Sequence, residues 1–79
     1  MSEAPARVLV VAAHSATRTG IRVLLERGGF VVAGEAASAQ GGAALALKER
    51  PELCVVHGEV QGGGVAALGL IKMRVPAIG

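Results

Sequence analysis

At 79 residues and a net charge of +2, the chain is at most one small domain, near the lower limit for a self-sufficient core. Hydrophobic residues make up 52% of it, but they are mostly Ala, Val and Leu, with Phe30 the one aromatic, so each side chain buries little area and stability is expected to be marginal or partner-assisted. Six Arg and two Lys are spread against six Glu and no Asp, with no basic run and no interleaved aromatics, which excludes nucleic-acid binding by this segment itself.

No apolar stretch reaches the roughly 18 residues of a membrane helix. The start, Met1-Ser2-Glu3-Ala4-Pro5, lacks the basic and then hydrophobic pattern of a signal peptide. The single cysteine, Cys54, sits in an apolar run and fits a reducing compartment, so a cytoplasmic location is expected.

Residues 1–6 are read as a flexible lead-in to one domain covering 1–79. Val8 to Val11 is a continuous apolar run, as in a strand covered on both faces. Ser15 is placed to cap a helix in which Ile21, Leu24, Leu25 and Gly28 share one face, and Gly28-Gly29 stops it. Phe30 to Ala33 reads as the second strand. Ser38 is placed to cap a second helix running to about Arg50, with Pro51 just beyond. Gly41 and Gly42 weaken the start of that helix, each by up to about 1 kcal/mol relative to Ala. Leu53 to Val56 is the third strand. The loop His57 to Gly64 leads into a third helix over Val65 to Met73, and Val75-Pro76-Ala77-Ile78 is placed to begin a fourth strand. Strand and helix in alternation predict an α/β fold with a parallel sheet and right-handed crossovers. The site of such a sheet lies at the carboxyl ends of its strands, which brings residues 12–15 and 57–64 around one crevice.

Arg7-Val8-Leu9-Val10-Val11, then His14-Ser15, Arg18-x-Gly20-Ile21 and Leu24-Leu25-Glu26 resemble the start of a response-regulator receiver domain. Val31-Val32-Ala33-Gly34-Glu35-Ala36 and Pro51-Glu52-Leu53-Cys54-Val55-Val56 extend the likeness across nearly the whole chain. The branch it resembles is the NarL/LuxR type, whose full-length members carry a DNA-binding helix-turn-helix output. The resemblance implies a CheY-like (flavodoxin-like) parallel sheet in the order 2-1-3, with a short fourth strand as an extension, stopping before the fifth. Carried over by position, the paired acids that hold Mg²⁺ fall on Ala12 and Ala13, and the phosphoryl-accepting Asp falls on His57. The Met-Pro-Gly that follows falls on Val60-Gln61-Gly62 and keeps only the Gly. The switch Ser/Thr and the Lys of the family belong to the fourth and fifth strands, past Gly79. Two methyl groups offer a hard cation no oxygen, so the resemblance implies a degenerate pseudo-receiver without acyl-phosphate chemistry. Replacing clustered acids by alanine also relieves repulsion and desolvation, so stability is expected to rise as the switch is lost.

Imidazole is a competent nucleophile, but His57 has no Mg²⁺ or cationic clamp to steady a transferring phosphoryl group, so it reads as a half-exposed strand-end residue. His14 and His57 with Glu59 make an incomplete ligand set, and no metal site is assigned. The glycines from Gly58 to Gly64 could present N–H groups to an anion, yet no Gly-Lys-Ser/Thr follows and a plain turn is the simpler reading. Arg18 reads as a solvated helix position, and Cys54 as a core thiol.

The expected function is non-enzymatic and needs no cofactor: a phosphorylation-independent interaction or dimerisation module of a two-component-type transcriptional regulator. The alternative is a small-ligand or anion sensor using the vacated crevice, lined by His14, Arg18, Gly58, Glu59, Gly62 and Gly63. Expected partners are a second copy, paired by a strand edge or an exchanged element, or another protein. DNA is expected to be reached only through an output domain absent from this chain, and no membrane contact is expected.

Overall fold

The computed structural model describes residues 4–58, 60, 63–75 and 78–79. Its elements are β1 (Arg7–Val11), α1 (Ser15–Arg27), β2 (Val31–Ala36), α2 (Ala39–Glu49), β3 (Leu53–Val56) and α3 (Gly64–Arg74). The strands form one parallel sheet in the order β2-β1-β3, the α/β arrangement and strand order expected from the sequence. The central position of β1 explains its composition: Val8, Leu9, Val10 and Val11 are each at most 1% exposed, so both faces of the strand have to be apolar.

The chain steps from β1 outward to β2 and then back across β1 to β3. With both crossovers right-handed, those opposite steps put α1 and α2 on opposite faces of the sheet. Accordingly α2 packs with α3, while α1 touches β1 and β2 among the described elements. The larger core lies on the α2–α3 side, where Leu9 and Val11 meet Ala36, Ala39, Ala43, Ala46, Ala67 and Ile71.

Small residues make that side work. Ala39, Gly42, Ala43 and Ala46 form one stripe of α2 and are all buried. A Cβ on Gly42 would stand 2.8 Å from Val11 Cγ2 and 3.3 Å from Ile71 Cδ1, so the helix lies on the sheet at a distance that only glycine permits. The two glycines expected to weaken α2 therefore have different roles. Gly42 is the closest point of contact with the sheet, whereas the Gly41 N–H donates to Ser38 Oγ at 3.1 Å in the expected N-cap. The helix ends on Arg50 in the left-handed region (φ 48°).

Several expectations need correction. Ser15 is the first residue of α1 rather than its cap; extended His14 is the N-cap and makes no side-chain bond there. The α1 face is less buried than its pattern predicts, with Leu24 69% exposed, because among the described residues no element packs beside α1 on the β3 side. The second strand is Val31–Ala36, not 30–33: the Phe30 N–H is taken by the Leu25 carbonyl in the turn, and β2 runs on past a bulge at Ala33. The expected start of a fourth strand over Val75 to Ile78 falls partly outside the described residues. Val75 N–H still bonds to Ile71 as the helix end, and Ile78 N–H turns back to Val75; Pro76 and Ala77 lie outside the described residues. Of the lead-in, residues 1–3 also lie outside, and the Ala6 carbonyl already accepts from Val31 N–H at 3.0 Å.

Gly42→Ala is expected to lower stability by about 1–2 kcal/mol, the overpacking against rotamer-stiff Val11 outweighing the helix-propensity gain. Gly69→Ala, on the open side of α3 where an added Cβ meets nothing within 4 Å, is expected to raise it by about 0.5–1 kcal/mol. Urea unfolding of the two variants reads both signs in one experiment.

Candidate functional site

The carboxyl ends of β1 and β3 are tied side by side, because the His57 N–H donates to the Val11 carbonyl at 2.8 Å. On the other flank the Ala12 N–H donates to the Ala36 carbonyl at 2.9 Å, extending the β1–β2 ladder by one residue. Ala12 is thus wedged between both neighbours and fully buried, Ala13 and His57 are half-buried, and His14 is exposed at the entrance to α1.

Arg18 does not sit in solvent as its helix position suggested. Its Nη1 donates to the Ala12 carbonyl at 2.9 Å and to the Ala13 carbonyl at 3.3 Å, reaching back from the first turn of α1 over the end of β1. Its Nε lies 3.7 Å from Glu35 Oε1, and Arg22 Nη1 donates to Glu35 Oε2 at 3.2 Å. Arg18 and Arg22 stand one helical turn apart on α1, so a single strand carboxylate bridges both. Sequence reasoning missed Glu35. The signal was an ionisable residue inside an apolar strand run, opposite two arginines at i and i+4.

The glycine-rich loop has a mechanical explanation. Val60 N–H bonds to the His57 carbonyl at 3.2 Å and Gly63 N–H to the Val60 carbonyl at 2.8 Å, so these donors turn inward and Val60 is buried in the core. Gly63 adopts φ +87°, open to glycine. A Cβ on Gly64 would lie 2.9 Å from Gly58 Cα, where the two ends of the loop meet. Glu59, Gln61 and Gly62 lie outside the described residues.

The groups brought together are two methyls, one imidazole and two carbonyls that already accept from a guanidinium. Magnesium takes hard oxygen ligands, and a fixed cation on those carbonyls opposes a second one, so the donor set does not suit it. Among the described residues no three His, Cys, Asp or Glu cluster as a metal site. Cys54 lies away from the strand ends, half-buried in β3; burial pushes its thiol up to about 11.

No family model matches the sequence, and no curated protein matches it. Solved structures do. The fold is similar to a two-component response regulator of the LuxR family from Aurantimonas sp. SI85-9A1, at 33% identity and TM-score 0.86 over 94% of this chain and 54% of that one. It also superimposes on the RcsB response regulator of Salmonella typhimurium (20% identity, TM-score 0.82, 96% of this chain and 40% of that one). The anti-anti-sigma factor PhyR of Bartonella quintana gives 16% identity and TM-score 0.82 over 91% of this chain and 30% of that one. The chain therefore spans about half the length of the LuxR-family regulator and less of the other two.

Arg18→Met is expected to cost about 1–2 kcal/mol in urea unfolding, because it strips charged donors from two strand-end carbonyls. Glu35→Gln is expected to cost less than about 1 kcal/mol, as half-exposed ion pairs do. The raised Cys54 thiol adds a pH signature. Its stabilising effect is fully present below the unfolded thiol value of about 8.5 and is lost as pH rises through about 11. The urea midpoint should therefore fall less between neutral and alkaline pH in Cys54→Ala than in the parent.

Proposed function

We propose that this chain, with its receiver-like fold, works as a phosphorylation-independent interaction module of a two-component-type transcriptional regulator in the cytoplasm. Ala12, Ala13 and His57 are its degenerate phosphorylation positions. The observation that carries this reading is the Arg18 guanidinium seated on the Ala12 and Ala13 carbonyls, with Glu35, the carboxylate beside it, paired to Arg18 and Arg22. Among the described residues the strand ends offer Ala12, Ala13 and His57 where a receiver of this kind carries acids, which favours contact with other chains over phosphoryl transfer. It is non-enzymatic, and it self-associates through apolar surface that its own elements leave uncovered. DNA is contacted by a separate output domain. A small-ligand or anion sensor in the same crevice draws less support, because Arg18 is engaged by two carbonyls and Glu35, and the Gly63 N–H by Val60.

Incubation with acetyl phosphate and Mg²⁺ is expected to leave the intact mass unchanged and the sedimentation profile the same. A stoichiometric, Mg²⁺-dependent phosphoryl adduct that disappears in His57→Ala would overturn the reading.

A further inference from the structure

We draw no further inference here: the strongest candidate, the apolar patch of Val65, Leu68 and Met73 on α3 beside the groove against β3, carries nothing because nothing in the structure shows what covers it.

Discussion

The close approach of α2 to β1 is the constraint on which the rest of the structure depends. A hydrogen at position 42, where any other residue carries a carbon, lets the helix rest on Val11 and Ile71. Ala39, Ala43 and Ala46 extend the same close contact along the helix. Such a core has few large side chains, and its stability comes from packing many small groups tightly. It also leaves little tolerance. A single methyl in the wrong place has nowhere to go, because Val11 is held in the middle strand between two bonded neighbours.

That economy shapes the surface. With small residues spent on the α2–α3 side, much of the larger apolar material, Leu24, Val65, Leu68 and Met73 among it, stands outside. Among the described residues the sheet has one strand on each side of β1 and no helix packs beside α1, which shows no fully buried residue. The three strands and three helices described leave part of each other's apolar surface uncovered, and the self-association proposed above uses that surface.

At the strand ends, alanines and a histidine leave room that Arg18 enters. A guanidinium bonded to backbone carbonyls and one shared carboxylate holds the end of β1 against the start of α1. The arrangement ties together three successive elements with side chains that have no reacting partner, and its contribution is to rigidity. The thiol of Cys54 is likewise withdrawn from chemistry by burial.

Much of this was legible from residue order. Strand runs at 7–11 and 53–56, the Ser38 cap and the turn at Gly28-Gly29 depend on neighbours along the chain, and so does the α/β class with a parallel sheet, because alternation and crossover handedness leave few choices, while the order 2-1-3 came from the family resemblance. The ends of β2 were misjudged because Gly34 and Glu35 look like strand breakers in one dimension; Leu45 packing and the Arg22 bond hold them in the strand. The Gly41-Gly42 pair looked like a defect for the same reason, since helix propensity takes no account of what lies across the helix. What the sequence by itself determined is therefore the elements, their order and the absence of carboxylates at positions 12, 13 and 57. Only the tertiary structure decided that Arg18 turns inward to the strand end, that Gly42 is a contact point and that Gly79 pairs with β3. Those three depend on distances between segments far apart in the chain or across a turn, and local periodicity carries no information about such distances.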